Sequence, residues 1–339
     1  MHIDYRLSGQ WWDLNETLTK VLGLPAEKVQ VRAFKGLHAA LCEITQALSI
    51  QFPHKKKAYY FKSMDPSLEG AMMALSRMGV HVEALDLSLL DSTKSGGEKA
   101  EEQWAEALSP ETLAVVFSED DPLLGRLYPV DEFEAHLLKR KIYALRISHS
   151  AYRLRPWPEE LMRPQLRVYS AHPELALGLT HGKLRFLTPL AEGQNWQLDL
   201  SALNLPQPSK ESENRPLVEN FEASSVAGAQ ALWPKGGALR LYDRALVYWT
   251  DMDGEAVIRL LAESMGHSLQ PPGQDRLMET ASLSRWGGVK TMDWLKEQGL
   301  APEVIRGLVI LDQSLLKDPT LGEKLASVRQ RIVKLQNGD

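Results

Sequence analysis

The chain has 339 residues, 44% hydrophobic and 24% charged, with a formal net charge of −5. That is ordinary globular composition with room for two domains, and a weakly acidic chain offers little to a nucleic-acid backbone. The one cysteine, Cys42, excludes an internal disulfide, and no run reaches the ~18 apolar residues that a membrane span needs.

The start, Met1-His-Ile-Asp-Tyr-Arg, lacks the basic and apolar regions of a secretory signal, so a cytoplasmic protein is expected. Trp11, Leu14, Leu18, Val21 and Leu22 share one helical face, and Gly23 closes that helix. Val29 to Val31 reads as a strand. Gly36 precedes a helix through Leu48, which contains Cys42 as a small core residue. A strand, a glycine and a helix start make a possible anion site, because free backbone N–H groups point outward there. A plain turn glycine explains Gly36 as well.

Lys55 to Lys57 reads as a solvated loop before a strand at Lys57–Phe61. Asp65-Pro66 starts a helix from Ser67 to Met78, Gly79 ends it, and Val80–Leu85 is the next strand. This is a βαβ unit with parallel strands. Ser92 to Glu101 reads as a polar loop and Gln103 to Leu108 as a short helix. Leu113–Phe117, Ile142–Ile147 and Leu166–Ser170 are strands, with a helix from Val130 to Arg140 between the first two. The alternation predicts an α/β domain with helices on both faces of its sheet.

After Leu190 the pattern changes. Pro206 to Glu219 reads as a loop, and Ala223 to Leu232 as a small-residue helix. Ala238–Tyr242 and Ala245–Trp249 read as two strands paired through Asp243-Arg244. Gly254 to Met265 is an amphipathic helix, Val304 to Leu311 a strand and Leu321 to Leu335 a final helix. These predict a second, smaller α+β domain. Asp251 and Asp253 have the look of metal ligands, but a turn before a helix start explains them better. The expected organisation is an N-terminal segment over 1–30, a large α/β domain over 31–222 and a small domain over 223–339.

The order and spacing of short motifs resemble a fold-type I pyridoxal-phosphate (PLP) aminotransferase. Trp11 to Val31 is similar to the family's N-terminal helix and its L-G-L-x-x-x-x-V segment. Val31 to Leu41 is similar to its phosphate turn, with Gly36 kept. Asp121-Pro122 stands where N-P-T-G is expected, and Ala151-Tyr152 matches the end of D-E-A-Y. Ser170 and the segment from Gly178 to Phe186 resemble S-x-S-K and G-x-R-x-G-F. The resemblance implies an α/β, PLP-dependent transferase-like fold: a mostly parallel sheet flanked by helices plus a smaller C-terminal α+β domain. It places Gly36, Leu37, His38, Asp121, His149, Tyr152, Ser170 and Lys183 around the cofactor, and Arg306 on a substrate carboxylate. It also implies a homodimer; the Trp11-Trp12 pair suits such a contact, since large aromatics favour interfaces, and suits a core equally well.

The departures from the family pattern are chemical. The imine-forming lysine is expected within His172-Pro-Glu-Leu175, which holds no lysine. The carboxylate that keeps the pyridine nitrogen protonated is matched by His149, and the asparagine beside the ring oxygen by Asp121. Lys183 stands for the phosphate arginine. Three readings follow. The first is a protein of this fold that has lost transamination and binds or regulates. The second is an active aminotransferase acting on an amino acid through Lys183. The third is an enzyme of the sugar-dehydratase type with His172 as base.

Overall fold

The computed structural model describes residues 29–34, 36–62, 65–91, 97–121, 123–149, 166–172, 175–181, 209–233, 240, 242, 244–265 and 289–337. Described residues within Met1–Pro122 and Leu127–Pro208 pack as one compact unit. Those within Leu123–Arg126 and Ser209–Asp339 pack as a second.

The first unit is built on seven strands: β1 (Val29–Phe34), β2 (Lys57–Phe61), β3 (His81–Leu85), β4 (Thr112–Ser118), β5 (Tyr143–Ser148), β6 (Leu166–His172) and β7 (Leu175–His181). Their order across the sheet is β1-β7-β6-β5-β4-β2-β3. β3, β2, β4, β5 and β6 are parallel neighbours, while β7 runs antiparallel to both β6 and β1. β4, in the middle of the parallel strands, is buried on both faces, which is why Leu113–Phe117 is a continuous apolar run.

Helices α1 (Gly36–Gln51) and α2 (Pro66–Arg77) cover one face. Leu41, Ile44 and Leu48 of α1 and Leu68, Met72 and Leu75 of α2 pack there with Ala58, Val116, Leu145, Ile147 and Val168. Helices α3 (Gly97–Ala107) and α4 (Asp131–Lys139) cover the other. Trp104 and Phe133 meet Phe61, Val115, Phe117 and Ala144 on that side. Alternate strand residues thus feed two cores, so the sheet is the middle layer of three. Gly178 of β7 is required by closeness: a Cβ there would lie 2.7 Å from the Phe34 ring and 3.3 Å from Ile44.

The second unit has a three-stranded antiparallel sheet, β10-β9-β8, made of β8 (Gln230–Ala231), β9 (Arg244–Tyr248) and β10 (Leu308–Asp312). Its helices are α5 (Ser209–Ala223), α6 (Gly254–Ser264), α7 (Val289–Glu297), α8 (Pro302–Gly307) and α9 (Leu321–Asn337). Val247, Trp249, Val257, Leu261, Val309, Leu325 and Val328 form its core. Arg240 forms a buried two-pronged pair with Glu222 of α5, at 2.9 and 2.5 Å. Asp253 accepts from the N–H groups of Glu255 and Ala256 and caps α6, and Asp251 pairs with Arg329 of α9. No helix among the described residues is long and apolar enough to cross a membrane.

Several expectations are corrected. The expected loop at Pro206 to Glu219 is helical from Ser209, with Pro216 inside α5. Ala223 to Leu232 is not a helix; α5 ends at Ala223 and a 3-10 turn leads into β8. Val304 to Leu311 splits into the end of α8 and β10, because Pro302 at the first helical turn starts a helix rather than a strand. Residues 97–101, expected in a loop, open α3. Lys55 is not a solvated loop cation: its ammonium donates to the Thr112 and Lys141 carbonyls. β7 was not foreseen as a strand. The N-terminal helix, with Trp11 and Trp12, lies outside the described residues.

Candidate functional site

In an open α/β sheet, ligands sit beyond the carboxyl ends of the parallel strands. Here the segments after β2, β4 and β5 bring three titratable side chains together. Asp65 precedes α2, Asp120 follows β4, and His149 follows β5. The backbone N–H of His149 donates to Asp120 Oδ1 at 2.9 Å, and its ring Nδ1 lies 3.4 Å from the same oxygen. Ring Nε2 lies 3.7 Å from Asp65 Oδ2. The side chains of His149 and Asp120 are 6% and 1% exposed.

Burial opposes a charge on His149. The hydrogen bond to Asp120 and the attraction of both carboxylates outweigh it and push the imidazole pKa up to about 10. Both ring nitrogens then carry protons, each facing a carboxylate. Burial also works against the Asp65 carboxylate, but His149 and Ser67 hold its pKa below the ordinary value.

Asp65 has a local reason to be where it is. It is the N-cap of α2, accepting from Ser67 N at 2.8 Å, with Pro66 at the first turn. The Ser67 carbonyl accepts from His38 Nδ1 at 3.3 Å. That leaves His38 Nε2 to accept from the Cys42 thiol, 3.5 Å away and one turn further along α1. The His38 ring lies against Gly70, where a Cβ would come within 3.1 Å. Cys42 is therefore half-buried, packed against the core beside a histidine, and burial raises its thiol pKa.

A second buried group lies on the opposite face of β5. Arg146 Nε donates to Glu119 Oε2 at 2.6 Å, and Nη1 reaches Asp131 at 2.7 Å and Glu134 at 2.9 Å. Arg167 Nη2 of β6 is 3.9 Å from Glu134. Burial raises the pKa of Tyr169, which shares this neighbourhood. Glu119 also holds the loop after β4: its N–H donates to the Ile147 carbonyl, and its carbonyl accepts from Tyr128 N.

Gly36, Leu37 and His38 open α1, and Gly36 has φ of 83°, a left-handed conformation that glycine adopts without a Cβ clash. Asp121 is buried directly after Asp120. Ser170 is half-buried in β6, and His172 is the last residue of that strand, paired with Leu175. The His172 side chain, Tyr152 and Lys183 lie outside the described residues. Arg306 is exposed in α8 of the second unit, where it donates to the Thr250 carbonyl at 3.1 Å. Sequence reasoning missed Asp65 and Asp120 as partners of His149. Asp65 had a legible signal as a helix cap; Asp120 had none beyond its place in an acidic run.

No protein-family model and no curated protein sequence matches the chain. Solved structures do. A NifS-like protein aligns with a TM-score of 0.65 at 16% identity, over 95% of this chain and 87% of that one. The cysteine desulfurase CsdA of Escherichia coli gives 0.63 at 13% identity, over 97% and 85%. Ureidoglycine-glyoxylate aminotransferase of Bacillus subtilis gives 0.56 at 12% identity, over 94% and 83%. These likenesses establish the fold, which is that of the fold-type I PLP-dependent transferases. It agrees with the fold expected from the sequence.

Proposed function

We propose that this chain keeps the PLP-transferase fold without carrying out transamination, and acts as a binding or regulatory protein. The observation that carries this reading is the placement of His149, buried between two carboxylates. The cofactor ring accepts electrons when a carboxylate pairs with its protonated nitrogen. Under the family resemblance His149 takes that carboxylate's place. It is buried between Asp65 and Asp120, whose carboxylates favour its charged form. A cation there opposes a protonated pyridine, so the described residues do not fit PLP as an electron sink. The sequence of the expected lysine segment, His172-Pro-Glu-Leu175, supports the same reading. By the resemblance the protein is a homodimer that takes a small-molecule ligand at the strand ends.

The test is a visible absorption spectrum of the purified protein with added PLP, before and after borohydride. The expected result is no band that borohydride fixes to the chain. A fixed band would overturn the reading in favour of an imine lysine, and peptide mapping would show whether Lys183 carries it. A band lost on dialysis, together with substrate turnover that disappears in His172→Ala, would overturn it in favour of a histidine-based enzyme.

A further inference from the structure

We propose that Asp65, His149 and Asp120 form an internal ionic clamp, in which one buried imidazolium ties the start of α2 to the ends of β4 and β5.

Three segments far apart in sequence meet at this one ring. β5 delivers His149 and β4 delivers Asp120, in adjacent parallel strands. Asp65 enters from the α2 side, where it already caps the helix. A neutral imidazole keeps one proton, so one ring nitrogen would turn a lone pair toward a carboxylate. With Asp120 at 3.4 Å and Asp65 at 3.7 Å, either tautomer is repulsive on one side. With both carboxyl groups ionised, only the doubly protonated ring is attractive on both sides. The distance to Asp65 exceeds a hydrogen bond, and Nε2 is buried with no hydrogen-bond partner among the described residues. The pair on that side is therefore coulombic, held by low dielectric and not by a donor–acceptor contact. The charged cluster around Arg146 lies on the opposite face of β5. His38 joins the same assembly through the Ser67 carbonyl, so the clamp extends to the first turn of α1.

The first measurement is a proton NMR titration of the imidazole signals of the full chain between about pH 5 and 8, the range in which ordinary histidines lose their charge. The chain has nine histidines. The expected result is one that stays in the imidazolium position throughout, and is missing from His149→Gln. Titration of all nine in this range would overturn the clamp, and that outcome needs no variant to fold. The second is a cycle of Asp65→Asn, His149→Gln and the double variant, read by thermal unfolding. Each single change is expected to lower the midpoint by on the order of 5 °C, with the double variant little worse than either. Shifts that simply add would refute the coupling. Wild-type signals can also be followed with PLP present, so the fate of the clamp is read separately from the fate of the functional proposal.

Discussion

Replacing Arg146 by Met tests how much of the first unit's stability rests on its buried charges. Methionine keeps most of the apolar stem and removes the guanidinium. Glu119 and Glu134, each 5% exposed, then lose their closest cation. Asp131 is 87% exposed and water replaces its partner, so its loss is worth almost nothing. Breaking a buried pair by removing one partner costs about 3–5 kcal/mol, because the remaining charge is stranded. The two carboxylates are not stranded equally. Glu134 keeps Arg167 at 3.9 Å, so Glu119 is left with less compensation. Urea unfolding followed by circular dichroism should show the loss. Adding Glu119→Gln to Arg146→Met should recover more stability than adding Glu134→Gln, and Asp131→Asn should recover none. The deficit should also shrink as pH falls, since a stranded carboxyl has its folded pKa raised and regains a proton first in the folded state. A loss under about 1 kcal/mol, or equal recovery from all three additions, would refute the reasoning.

Two further outcomes are expected. The folded His149 pKa, about 10, stands above its ordinary 6.5, so its stabilisation is full below 6.5 and is lost as pH rises toward about 10. Asp65 is shifted down from 3.8, so its share is present above that value and lost as pH falls further. The deficit of His149→Gln in thermal unfolding should therefore be largest between about pH 4 and 6.5 and fade toward pH 10; a deficit independent of pH would contradict this. Gly178→Ala should lower stability by about 1–3 kcal/mol, because its Cβ would press on Phe34 and Ile44 at the β1–β7 seam. An unchanged midpoint would mean that the seam yields freely.

The elements of the first unit were legible because their chemistry is local. Leu113–Phe117 is apolar throughout because both faces of β4 are covered, and Asp65-Pro66 marks a helix start by capping geometry alone. Gly36, expected before a helix, takes the left-handed φ that such a junction requires. The misreadings are also physical. α5 was hidden by Pro216 and a polar composition, since its buried residue Val218 and its Glu222–Arg240 pair are tertiary contacts. β7 was hidden because its place in the sheet, between β6 just before it and β1 far away in sequence, is set by tertiary pairing.

The alternation of strands and helices gave the α/β class, and the order of short motifs gave the particular fold through its resemblance to a known family. His149 was visible in the sequence as a departure from a familiar pattern, but its charge was not. A histidine's ionisation depends on what surrounds the ring, and Asp65 and Asp120 reach it only after α2, β4 and β5 are packed. The sequence determined which residue stands after β5; the tertiary structure decided that it lies buried between two carboxylates that favour its charged form, because only folding brings both to one ring and excludes the water that would otherwise screen them.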